Sequence, residues 1–109
     1  MGVVVRRFGV YRVVLEPTLG SELRKTRPCC VISPDEMNAH LATVLIAPMT
    51  TSGRAYPTRI PYHFAGQSGH IALDQIRAVD RVRLVADLGD LQQSERQEVL
   101  TVLMEMLAP

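Results

Sequence analysis

Residues 28–50 read PCCVISPDEMNAHLATVLIAPMT. Two short apolar runs stand in this stretch, at 28–33 and 43–47, and neither alternates with polar residues. Runs of that length and composition suit strands covered on both faces. Between them, SPDEMN carries Pro34, Asp35 and Asn38, three residues that break regular structure, and reads as a turn. Working outward, residues 10–15 (VYRVVL) are short and rich in β-branched side chains, which again predicts a strand, ended by Pro17. Residues 58–64 (TRIPYHF) alternate, with Ile60, Tyr62 and Phe64 on one face, and Pro61 assigns this strand to a sheet edge. GQSG then reads as a hairpin connection, residues 70–73 return as a strand, and residues 78–80 add a further short one.

The end of the chain has a different period. Ser94-Glu95-Arg96-Gln97 has the spacing of a helix capping box, and Val99, Leu100, Leu103, Met106 and Leu107 follow at three- and four-residue intervals. About six short strands and one closing helix predict a mainly β (α+β) fold, a small barrel or strongly curved sheet with the helix packed on it. A length of 109 residues fits a single domain spanning 1–109.

Composition narrows the function classes. The chain is 47% hydrophobic and 21% charged, a globular balance and not a disordered one. No apolar run approaches the roughly 20 residues that cross a bilayer. The opening MGVVVRRFG puts its arginines after the apolar patch, the reverse of a secretory signal, so a cytoplasmic protein without membrane association is expected. Cys29 and Cys30 are adjacent and point to opposite faces of a strand, which makes them two reduced, packed thiols. No His/Cys spacing resembles a metal site, so neither metal nor cofactor is expected. The net charge of +1 hides an asymmetry: residues 1–83 hold eleven basic and six acidic side chains, and residues 84–109 hold one and five. Eleven of the twelve bases are arginine, a side chain that grips phosphate with two parallel donors. A basic body of this kind suits an anionic partner.

Two polar loops interrupt the apolar pattern. The first, GSELRKTRP at 20–28, offers Glu22, Arg24, Lys25, Thr26 and Arg27; the second, at 48–57, offers Thr50, Thr51, Ser52 and Arg54. Loops held by a rigid scaffold are where binding and catalysis concentrate. Arg27 and a threonine hydroxyl together could clamp a phosphodiester and stabilise charge that builds in its transition state. RNA supplies its own nucleophile, the 2′-hydroxyl, and Glu22 could deprotonate it, although neighbouring cations weaken a carboxylate as a base. His40 reads as exposed, and His63 and His70 as cross-strand surface neighbours. Asp74-Gln75 ends a strand and is placed to face the same groove.

The ordered pieces LEPTLGSELRKTRP, VISPDEMN, TVLIAPMTT, YPTRI, IALDQIRAVDRVRL and LGDL resemble the MazF/PemK toxins of bacterial toxin–antitoxin modules over essentially the whole chain. The resemblance implies a small SH3-like (CcdB/PemK-type) barrel with a C-terminal helix, a homodimer, and metal-independent cleavage of single-stranded RNA that leaves a 2′,3′-cyclic phosphate and a 5′-hydroxyl. It implies catalytic roles for Arg27 and Thr50 and, in some members, for Glu22, with RNA contacts from Asp74 and Gln75. Two positions depart from the family pattern: Val10 follows Gly9 where an acid is common, and Ala72 stands where some members carry a polar residue. Arg24, Lys25, Thr51, Ser52 and Arg54 complete the expected RNA-binding set. A cognate antitoxin, laid over the basic groove, is the expected protein partner. Two other readings keep the fold and change the function: a gyrase-binding toxin, and an RNA-binding barrel without catalysis.

Overall fold

The computed structural model describes residues 4–15 and 25–109. Strand β1 (Gly9–Val14) forms from alternating β-branched and aromatic residues, with only Arg12 exposed among them. Strand β2 (Thr26–Val31) carries the cysteine pair, and β3 (Thr43–Thr50) carries the second apolar run. Strands β4 (Arg59–Phe64) and β5 (Gln67–Ala72) make a hairpin, and β6 (Arg77–Asp80) and β7 (Leu84–Asp90) follow. All pairings are antiparallel, in the order β4-β5-β3-β2-β1-β7, with β6 also on β3. The result is the expected small β architecture, an antiparallel half-barrel closed by a C-terminal helix. Strand β4 lies at one end of that order, where Pro61 removes no ladder hydrogen bond from a central strand.

The two apolar runs are covered on both sides, as their continuous hydrophobicity requires. Cys30, Ala47, Met49, Ile60 and Ile71 join one cluster with Val99 of the closing helix. Tyr11, Val13, Cys29, Val31, Val44 and Ile46 join the other, with Val79 and Leu84. The adjacent cysteines thus enter different clusters, both as buried free thiols.

Several boundaries differ from the sequence reading. SPDEMN is not a plain turn: Asp35–His40 form the short helix α1, with Asp35 and Glu36 in its first turn, where their charge meets unpaired N–H groups. Asn38, read as a breaker, is buried; its amide nitrogen donates to the Ser33 carbonyl at 2.9 Å, while the Ser33 hydroxyl donates to its oxygen at 2.5 Å and accepts from Leu45 N–H at 3.0 Å. The hairpin turns at Ala65-Gly66, both with positive φ, so β5 begins at Gln67 and not at His70. Strand β7 was legible only as part of a motif, because register shifts on its partner β1 disturb the alternation. Its acids Asp87 and Asp90 receive Arg6 at 2.7 and 3.0 Å, so the basic and acidic parts of the chain are partly neutralised against each other.

The closing helix α2 (Gln93–Leu107) is capped two residues earlier than expected, by Gln92 and Glu95 and not by Ser94 and Gln97. Glu95 is buried and spends both oxygens, accepting Gln92 N–H at 3.0 Å and His63 N–H at 2.8 Å. One carboxylate therefore starts the helix and fixes it to β4. Val99 is fully buried beneath the helix, a contribution of about 1.5–3 kcal/mol. Leu100 and Leu103 are partly buried, whereas Met106 and Leu107 run beyond the sheet and are exposed. They border an apolar groove of about 530 Å³ with Ile32, Leu45, Ile76 and Leu103.

Candidate active site

The strand ends are longer than the apolar runs alone indicate, and this sets the site. Strand β2 starts at Thr26 and β3 continues to Thr50, so Arg27 and Thr50 belong to strands and not to loops. The β2–β3 register pairs Cys29 with Pro48, Cys30 with Ala47 and Val31 with Ile46. The ladder ends at Cys29–Pro48, so Arg27 and Thr50 stand two residues beyond it, at the same end of the adjacent strands β2 and β3. On its other side Thr50 pairs with His70, and His70 with Pro61. Directly opposed residues share a face of the sheet, so Thr50, His70 and Pro61 form one transverse row. Alternation adds Arg59 and His63 of β4 and Ser68 of β5 to the same face.

Thr50 is held firmly. Its Oγ1 donates to the Ser52 carbonyl at 3.0 Å and accepts Ser52 N–H at 3.1 Å, with Ser52 Oγ at 3.3 Å. This local turn closes the start of the exposed segment that carries Thr51, Ser52 and Arg54. From the other side β5 presses against Thr50 at Gly69, where a Cβ would overlap the Thr50 carbonyl.

Arg27 and Lys25 are exposed at the start of β2. Burial pushes the Cys29 thiol up to about 12, with Arg27 and Arg77 pulling it back, and the alternation of β2 sets Arg27 on the Cys29 side of the sheet. Arg77 pairs in register with Ile46, on that same face. Arg77 was not singled out in the sequence; the alternation of β6 is too short to announce it.

Asp74 and Gln75 end the short 3-10 turn Leu73–Gln75, and both are exposed. Asp74 is already engaged. Arg59 donates to it from Nε at 2.7 Å and Nη2 at 3.1 Å, and Thr58 Oγ1 donates at 3.2 Å. These donors hold its carboxyl below the usual carboxylate range, and the pairing raises Arg59 in turn. Arg59, which also lies 5.3 Å from the Tyr56 ring, is the residue the motif reading missed. Only its place in the alternation of TRIPYHF marks it as facing the site.

His63 and His70 are diagonal neighbours on this face, not directly opposed, since His63 pairs with Ser68. Ser68 Oγ lies 2.6 Å from His63 Nδ1. Both histidines line a cleft of about 580 Å³ with Thr51, Gly53, Ser68 and Glu98. His40 lies elsewhere, exposed at the end of α1 with Nδ1 2.8 Å from the Glu36 carbonyl. Glu22 and Arg24 fall outside the described residues. Among the described residues no group of three or more His, Cys, Asp or Glu side chains is arranged to hold a metal ion, and no helix is long and apolar enough to cross a membrane.

Solved structures share this arrangement of strands and helix. MazF from Deinococcus radiodurans superposes with a TM-score of 0.78 at 25% identity, over 96% of this chain and 97% of that one. A mycobacterial endoribonuclease in complex with its cognate antitoxin gives a TM-score of 0.78 at 25% identity, over 94% of each chain. The MazE–MazF complex from D. radiodurans (Form-II) gives 0.81 at 24% identity, over 96% of each. The family described as PemK-like, MazF-like toxin of type II toxin–antitoxin systems matches residues 6–107. With that match spanning nearly the whole chain, the protein belongs to the PemK-like, MazF-like toxins.

Proposed function

We propose that the protein is a metal-independent, sequence-specific endoribonuclease that cuts single-stranded RNA by attack of the 2′-hydroxyl on the adjacent phosphorus. The reading is supported by Arg27 and Thr50 standing at the same end of the adjacent strands β2 and β3, each two residues past the last paired position. A guanidinium presents two parallel donors to the non-bridging phosphate oxygens, and these bonds tighten as charge builds on a phosphorane. The Thr50 hydroxyl adds a third donor once it turns from the Ser52 carbonyl, while Ser52 N–H continues to hold the oxygen in place.

Glu22 is the proposed base for the 2′-hydroxyl. Arg24, Lys25, Thr51, Ser52, Arg54 and Gln75 are proposed to guide the strand by phosphate and edge contacts, with Arg77 as an added cation. Asp74 acts at one remove, as the group that orients Arg59. Single-stranded RNA suits an open basic face, since its bases splay out and remain readable, unlike those inside an A-form duplex. The products are a 2′,3′-cyclic phosphate and a 5′-hydroxyl, made in the cytoplasm.

An antitoxin bearing an acidic, partly disordered segment complements the same cations. Association of two copies is supported by the apolar groove beside Met106 and Leu107, which one chain leaves uncovered. The test is incubation of the purified protein with a long unstructured RNA in excess EDTA, followed by end mapping. Discrete fragments with 5′-hydroxyl ends are expected. RNA that is bound but intact, or fragments that vanish with EDTA, would overturn the proposal.

A further inference from the structure

The row Thr50–His70–Pro61 contains one titratable side chain to which the nuclease reading gives no task. His70 is the direct cross-strand partner of Thr50, so the two Cα atoms lie about 4.5–5.5 Å apart, with both side chains on one face. It is half-buried, lines the cleft and sits on the rigid β5 strand, not on a loop. Its placement is enforced by Gly69, which lets β5 close on Thr50, and by Pro61 on the opposite strand. No described hydrogen bond engages its ring, whereas His63 is taken by Ser68 at 2.6 Å and His40 by Glu36.

We propose that His70 is a catalytic residue, the proton donor to the leaving 5′-oxygen. The inference rests on the nuclease reading and gives that reaction its missing acid. A phosphodiester held by Arg27 and Thr50 lies within reach of the neighbouring imidazole. In the step, the 2′-oxygen forms its bond to phosphorus as its proton passes to the base or to water. The phosphorus–O5′ bond breaks, its electron pair stays on O5′, and the imidazolium proton of His70 transfers to that oxygen. Neutral His70 then regains a proton from solvent, so atoms and charge balance without a further reactant.

Both acidic and basic groups surround His70. Glu95 and Glu98 of α2 share its cleft, though Glu95 is committed to two backbone amides. His63 stands diagonally on β4, Arg59 is neutralised by Asp74, and Arg27 is two strands away. Histidine is the side chain best suited to give and regain a proton at cellular pH.

The experiment compares two RNA substrates that differ at one atom, the ordinary 5′-oxygen and a bridging 5′-sulfur, which leaves as a thiolate without protonation. His70→Gln is expected to slow cleavage of the oxygen substrate by about 10²–10⁴-fold, the usual worth of a general acid, and of the sulfur substrate by less than about 10-fold. The ratio of the two rates decides, because it does not depend on how much of the variant is folded. His70→Asn is measured in parallel and should show the same ratio. Equal losses on both substrates, no loss on either, or a changed ratio in His63→Gln instead, would overturn the assignment. Wild-type protein that cuts neither substrate would remove the nuclease reading itself, an outcome distinct from the others.

Discussion

Gly69 and Thr50 are packed so tightly that a side chain on the glycine has nowhere to go. A Cβ there would overlap the Thr50 carbonyl oxygen and stand 2.9 Å from its carbon and 3.0 Å from Thr51 Cα. All three are backbone atoms, at the end of β3 and the residue just after it, so none can yield by a change of rotamer. Gly69→Ala is therefore expected to force β3 and β5 apart and destabilise the fold by about 1–3 kcal/mol. Thermal melting measures the loss. The variant should also lose cleavage beyond what its folded fraction explains, because the displaced residue is Thr50. A melting temperature equal to wild type would show that the strands are not held this closely.

Glu95 offers a second point at which one atom's chemistry organises the site. Its two oxygens accept Gln92 N–H and His63 N–H, joining the start of α2 to the β4 strand. Glu95→Gln keeps the shape but replaces one acceptor oxygen with a donor, which leaves one buried amide without a partner. The cost of such an orphan is about 1–3 kcal/mol. Urea unfolding should show it as a lower midpoint with an unchanged slope. Glu98→Gln, exposed on the same helix, should stay within about 0.5 kcal/mol of wild type.

The strands around residues 28–50 were legible because burial on both faces demands continuous hydrophobicity, and PCCVIS and TVLIA supply it. Arg27 and Thr50 were legible only as parts of polar segments. That they come to the same end of the β2–β3 pair depends on register, which is set by pairings between distant parts of the chain and leaves no local mark. The short helix α1 was hidden because Pro34, Asp35 and Asn38 are turn formers as well as helix starters, and a buried Ser33–Asn38 pair decides between the two. Likewise the capping box lies two residues early because two overlapping candidates exist, and only Glu95 reaches both Gln92 and His63. Arg59 and His70 looked like ordinary polar positions of alternating strands until the sheet order put His70 beside Thr50 and Arg59 on the same face.

The acid side of the stability curve follows from Asp87 and Asp74. Bonds from Arg6 and Arg59 lower these two carboxyls relative to the unfolded chain. A depressed folded-state value means stability that is present above the ordinary carboxylate range and is lost as pH falls through the lowered value. Melting temperature should thus decline on acidification below about pH 4. The Arg6–Asp87 pair is at the surface, so its share is about 1 kcal/mol or less. Asp87→Asn should be slightly less stable than wild type at pH 7, and the difference should close in acid and shrink in high salt. A gap that persists at pH 2 would mean that packing, not charge, is what the substitution removes.

Arg27 invites a sharper substitution than alanine. Lysine keeps the charge but offers a single ammonium where the guanidinium offers two parallel donors. If Arg27 works by bidentate contact with the phosphorane oxygens, Arg27→Lys should lose most of the cleavage rate, within about tenfold of Arg27→Ala, while RNA binding measured in a non-cleavable 2′-deoxy substrate falls much less. The stability of both variants should match wild type to about 0.5 kcal/mol, because Arg27 is exposed at a strand end. The alternative role, a cation that merely draws RNA to the face, predicts the opposite ordering: lysine would restore the rate, and both variants would weaken binding and cleavage in proportion. Binding and single-turnover cleavage measured on the same proteins at two salt concentrations separate these cases, since screening weakens a diffuse attraction far more than a close two-pronged contact.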